Sequence, residues 1–170
     1  MNCLKKIREA IENLEIARSS KNAYTVTKIA RSLASSRSHG VGADRGRKVH
    51  NFWGDPFEIV RNSEYLCPFP LACKINDCWI YGYADLIRFC NCKPVEVIEV
   101  KSYSGYCRYD EIQVMIYAFL AYKLFRLKSK PKAFLVLGWD GRNFVTKQLV
   151  SWEPDKVFSM IIQAINKNIK

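Results

Sequence analysis

No apolar run in the chain is long enough to cross a bilayer: the longest, Val114 to Tyr122, is nine residues, against the roughly 20 that a spanning helix needs. The reading is of a protein without a membrane partner. No secretory leader is expected either. Met1-Asn2-Cys3-Leu4-Lys5-Lys6-Ile7-Arg8-Glu9 goes straight into a charged amphipathic pattern, with no apolar h-region and no small-residue cleavage site. We therefore expect a cytoplasmic protein, prokaryotic or viral in a host cell. The paired C-x2-C spacing of zinc sites is absent, since the nearest approaches are Cys67-x5-Cys73-x4-Cys78 and Cys90-x-Cys92. There is no GxxxxGK[ST] loop, so no ATP site is expected.

Acidic residues are in short supply. Against 27 Lys and Arg stand 16 Asp and Glu, a formal charge of +11. A surplus of this size favours a polyanionic partner, and nucleic acid is the usual one. The basic residues concentrate at Arg37 to Lys48 and at Lys123 to Lys132, where Lys123, Arg126, Lys128, Lys130 and Lys132 have no acid among them. Seven cysteines cannot all pair within the chain, and without a leader reduced thiols are expected.

Leu4, Ile7, Ile11 and Leu14 recur at helical spacing and predict a helix to about Ala17. Thr27 to Leu33 reads as a short helix capped by Thr25 or Thr27, Ser35 to Gly42 as a loop, and a third helix near Asp44 carries His50. Strands are predicted at Glu58 to Cys67, Leu71 to Ile75, Trp79 to Phe89 and Val95 to Lys101. Asp110 to Leu127 is a helix apolar on nearly every side, Ala133 to Val150 a hairpin turning at Asp140-Gly141, and Asp155 to Ile169 a closing helix. The order predicts an α/β fold, a mixed sheet flanked by helices. With no repeat and no break in composition, residues 1–170 read as one domain with an N-terminal helical segment over about 1–40.

The chemistry concentrates in Gly82-Tyr83-Ala84-Asp85 and Glu99-Val100-Lys101. If the strands on either side of Cys92 are antiparallel, positions summing to 184 face each other, which sets Asp85 opposite Glu99. Opposed carboxylates repel, and a site that keeps both ionised generally neutralises them with a cation bound through oxygen, here Mg²⁺ or Mn²⁺. Lys101 falls on the same strand face as Glu99, where an ammonium can orient a water and offset charge on a phosphorane-like transition state.

With these residues in order, the chain resembles the PD-(D/E)XK nucleases, specifically their RecB-like branch, marked by GxxxH, GxxD, ExK and QxxxY. Here they stand as Gly46-Arg47-Lys48-Val49-His50, Gly82-Tyr83-Ala84-Asp85, Glu99-Val100-Lys101 and Gln113-Val114-Met115-Ile116-Tyr117. The resemblance runs from about Tyr24 to about Trp139 and implies a restriction-endonuclease-like core. It implies Asp85 and Glu99 as metal ligands, His50 and the Val100 carbonyl as further ligands, and Lys101 as the catalytic lysine. Gln113 and Tyr117 would line the groove against the nucleic acid, with Arg45, Arg47, Lys123, Arg126 and Lys128 as candidate backbone contacts. The iron-sulfur members of the branch use a cysteine before the GxxxH helix and three near the C-terminus. This chain has no cysteine after Cys107, so no cluster is expected.

The sequence thus points to a deoxyribonuclease, an exonuclease preferring single strands or free ends, with any helicase, repair or replication activity supplied by a separate partner. Its rivals are a structure-specific endonuclease, a non-catalytic nucleic-acid-binding protein on the same fold, and a metal-binding interaction module built on the cysteines.

Overall fold

The computed structural model describes residues 3–34, 65–66, 68–140 and 142–167. Helix α1 (Cys3–Ser19) turns one apolar face inward, burying Ala10, Leu14 and Ala17. Strand β1 (Ala23–Thr25) leads directly into α2 (Val26–Leu33), whose first turn is capped by Thr25: its hydroxyl oxygen accepts from the Lys28 N–H at 3.1 Å. Strands β2 (Tyr65–Leu66), β3 (Phe69–Ile75), β4 (Cys78–Ala84), β5 (Leu86–Cys90) and β6 (Lys93–Lys101) follow. After them come α3 (Arg108–Leu124), β7 (Lys132–Leu137), β8 (Thr146–Val150) and α4 (Pro154–Asn166).

The strands form two mixed sheets, ordered β1-β4-β3 and β2-β5-β6-β7-β8, with helices packed against them. Strands β1 and β4 are parallel, as are β6 and β7; the other pairs are antiparallel. A parallel neighbour needs a crossover, and α3 supplies it between β6 and β7. This helix is buried on nearly all sides: β3, β4, β6 and β7 touch it, and so do α2 and α4. Its apolar residues join Ile80, Ile87, Val97 and Leu135 in the main core. On the other side of the small sheet, α1 packs Leu14 and Ala17 against Ala72, Trp79 and Tyr81. Among the described residues no helix is long and apolar enough to cross a membrane.

Three expectations are corrected. The strand predicted over Trp79 to Phe89 is two strands in different sheets, parted at Asp85. There an aspartate side chain takes the ladder position of a backbone carbonyl by accepting the Val100 N–H at 2.7 Å. Consequently Asp85 does not stand in a ladder pair with Glu99. The register summing to 184 does hold for Leu86↔Ile98, Ile87↔Val97 and Arg88↔Glu96, and it stops one residue short of Asp85. A two-residue turn at Asn91 and Cys92, both at positive φ, would by itself set a sum of 183; a bulge after Arg88 restores 184. The third correction concerns the thiols. Cys92 is disulfide-bonded, while Cys73, Cys78, Cys90 and Cys107 are free, because an odd count excludes complete pairing but not a single pair.

Elsewhere the elements lie close to their predicted places. The β7–β8 hairpin forms, with strands shorter than expected. Within its connection Asp140 accepts from the N–H groups of Arg142 and Asn143, both at 2.8 Å. Of the strand expected at Glu58 to Cys67, only Tyr65–Leu66 falls among the described residues. The loop and helix expected between Ser35 and His50 lie outside them.

Candidate active site

Strand β6 is central in the five-stranded sheet and carries Glu99 and Lys101 two residues apart, hence on one face. That face meets the first turns of α3. Lys101 Nζ donates to Glu99 Oε1 at 2.7 Å and to Gln113 Oε1 at 3.1 Å, and lies 3.5 Å from Asp110 Oδ1. The Gln113 side chain, its oxygen taken by Lys101, also lies beside the Tyr117 hydroxyl one turn further along α3. The Tyr117 ring lies over Gly82: a Cβ on that glycine would come within 2.7 Å of the hydroxyl oxygen. A chain of contacts therefore joins Glu99, Lys101, Gln113, Tyr117 and Gly82, with Asp85 three residues beyond Gly82.

The electrostatics of this cluster are severe. Asp85, Glu99, Asp110 and Gln113 are all buried, with Asp110 fully so. Burial, followed by the nearby Asp85 charge, raises the Glu99 carboxyl, and Lys101 only partly offsets this. Asp85 is likewise raised, by burial first, with Lys101 and the Val100 N–H acting against it. Burial alone would lower Lys101, but Glu99, Asp85 and Asp110 together hold it well above its ordinary value, so it stays charged. Tyr117 is raised well above its ordinary range, chiefly by burial, and remains a neutral phenol.

Two buried carboxylate oxygens in the cluster lack a hydrogen bond, Glu99 Oε2 and Asp110 Oδ1. An orphaned carboxylate oxygen beside a second carboxylate, both costly to ionise, suits an oxygen-ligated divalent cation. Asp85 and Glu99 would hold it. Among the described residues no three His, Cys, Asp or Glu side chains converge as a complete ligand set. His50, the further ligand implied by the resemblance, lies outside the described residues, as do Arg45 and Arg47.

The other predicted contacts are distributed unevenly. Gln113 and Tyr117 are buried and face Lys101 and Gly82. Lys123, in the last turn of α3, lies about 15 Å along the helix axis from Gln113. Arg126 and Lys128 follow it, Arg126 at positive φ. Lys130 is committed to Glu153 and the Trp152 carbonyl. Two site residues escaped the sequence reading: Asp110, and Tyr103, whose hydroxyl donates to Asp110 Oδ2 at 2.5 Å.

Comparison with known protein families and with curated proteins yields no match. Among solved structures the chain is similar to the crystal structure of SSO0001, with a TM-score of 0.56 and 18% identity over 98% of this chain and 84% of that one. This likeness bears on the fold alone.

Proposed function

We propose that the protein is a metal-dependent nuclease that hydrolyses DNA phosphodiester bonds, acting as an exonuclease that prefers single strands. One observation carries the reading: residues from the GxxD, ExK and QxxxY segments, far apart in sequence, form one cluster, with Glu99 and Gln113 on Lys101, Asp85 acting on it through its charge and Gly82 against Tyr117. Structural salt bridges seldom bury several carboxylates and leave some of their oxygens without a hydrogen bond, because the desolvation cost goes unrecovered. A divalent cation bound there would supply Lewis-acid polarisation of the phosphate and a lowered pKa for a bound water.

The chain's own residues have definable tasks in that reaction. Asp85 and Glu99 bring negative charge to the cation position, and Lys101 presents an ammonium beside it. The water oxygen bonds to phosphorus and gives up a proton to solvent as the bond from phosphorus to the leaving oxygen breaks, and the leaving oxygen takes up a proton from solvent. Lys101 offsets the charge that accumulates on the phosphoryl oxygens meanwhile. Gln113 holds the lysine from the α3 side, and Tyr117 packs beside it against Gly82. The preference for strand ends comes from the resemblance to the RecB-like branch, and the +11 charge suits a polyanionic substrate.

The decisive experiment incubates the protein with circular and linear single-stranded DNA, labelled at either end, in Mg²⁺, Mn²⁺ or EDTA. Mononucleotides released from linear DNA alone, and only with metal, are the expected result. Linearised circles would make it an endonuclease, and binding without cleavage in either metal would overturn the reading.

A further inference from the structure

Asp110 is fully buried in the first turn of α3, yet only one of its oxygens has a hydrogen bond. Oδ2 accepts from Tyr103, on the segment between β6 and α3. That segment is itself pinned where the Gly138 N–H donates to the Tyr103 carbonyl at 2.9 Å. Oδ1 has no hydrogen bond and stands 3.5 Å from Lys101 Nζ. The lysine has three N–H donors, two of them satisfied by Glu99 and Gln113. A movement of about 0.6 Å would bring the third into ordinary hydrogen-bond range of Asp110.

We propose that Asp110 is a positioning residue for Lys101: a second anionic anchor, braced by Tyr103, that holds the ammonium in place when Glu99 turns toward a cation. The inference rests on the nuclease reading above, in which Glu99 cannot serve the lysine and the cation equally. Glu99 and Lys101 lie on the same strand, and a lysine released by Glu99 would otherwise keep only the uncharged Gln113 amide as a hydrogen-bond partner. Asp110 sits on a different element and keeps its position whatever Glu99 does. Three carboxyl groups around one ammonium are also more than a simple ion pair requires, which argues that they serve in turn.

The test uses the full chain and two readouts. In EDTA, melting temperatures are compared for wild type, Asp110→Asn, Lys101→Met and the double variant, with Tyr103→Phe and its Lys101→Met double as a gentler pair should Asp110→Asn fail to fold. We expect Asp110→Asn to lower the melting temperature in wild type and to raise it where Lys101 is already gone, a divergence of at least about 3 °C. With Mn²⁺ and single-stranded DNA, Asp110→Asn should lower kcat about tenfold with KM within about twofold, and Tyr103→Phe should do so more mildly. Additive melting shifts, or an unchanged kcat, would make Asp110 a packing residue and overturn the proposal. Wild-type protein that cleaves nothing would overturn the nuclease reading instead, while the melting cycle still decides whether Asp110 anchors the lysine.

Discussion

Gly82 and Tyr117 occupy one space: the phenol lies where the glycine's side chain would be, at 2.7 Å from an added Cβ to the hydroxyl oxygen. The glycine at the head of one motif and the tyrosine at the end of another are thus two halves of one packing requirement. Gly82→Ala should push the ring away from Gln113 and cost about 1–3 kcal/mol, the usual penalty for overpacking. Adding Tyr117→Phe removes the closest atom and should restore part of the loss. Urea midpoints of the two single variants and the double decide it, and equal destabilisation with and without the hydroxyl would refute the steric account.

Asp85 has two duties, as a candidate ligand and as the acceptor of the Val100 N–H, and substitutions can separate them. Asp85→Asn keeps an acceptor oxygen and loses the charge; Asp85→Ala loses both and leaves a buried N–H unpaired. Both should abolish cleavage. Asp85→Ala should be the less stable by about 1–3 kcal/mol at neutral pH, read from denaturant midpoints.

Without metal, stability should fall as the solution becomes more alkaline. Burial pushes Glu99 up to about 8 and Asp85 up to about 6, above their ordinary values of 4.5 and 3.8. The folded protein therefore holds protons that the unfolded chain has already released, and stability declines from about pH 4 to about pH 8. Lys101 contributes evenly across this window, because it titrates far above it. Glu99→Gln should flatten most of the slope, and Mn²⁺ should flatten it in wild type. Melting curves in EDTA that rise or stay level toward pH 8 would contradict the expected carboxyl shifts.

Lys101→Ala should slow the chemical step far more than it weakens DNA binding, since one ammonium adds little to an affinity spread over many phosphates. Neutralising Lys123, Arg126 and Lys128 should do the reverse, weakening binding and lowering the salt slope by about 0.7 per lost contact on single strands. Fluorescence titration and single-turnover rates on the same DNA separate the two effects. A parallel fall of affinity and rate in Lys101→Ala would make it a groove contact.

How much of this the sequence disclosed depended on the range of the forces involved. The α2 cap, read as Thr25 or Thr27, was legible because it is local; the β5–β6 register summing to 184 was reached as well, though it is the bulge after Arg88, and not the Asn91-Cys92 turn alone, that sets it. The break at Asp85 was not, because Tyr83-Ala84-Asp85-Leu86 reads as uninterrupted strand; only the neighbouring β6 supplies the N–H that draws the carboxylate into the ladder. Asp110 stood in the sequence only as the first residue of the predicted helix. Its spacing from Gln113 and Tyr117, three and seven residues, places all three on one helix face and was the available signal. The disulfide at Cys92 left no such trace, because pairing depends on which chain segments meet in space.

The bond from Val100 to Asp85 also makes one backbone amide a spectroscopic witness. A short N–H hydrogen bond to an ionised carboxylate is strongly polarised, and the Val100 proton should resonate far downfield of its neighbours in β6. Its position will follow the charge on Asp85, shifting when the carboxyl is protonated or shares its electrons with a cation. A titration of ¹⁵N-labelled protein with Mg²⁺ or Mg²⁺-free acid would thus report the state of the site from inside the sheet, in the absence of DNA and without any turnover.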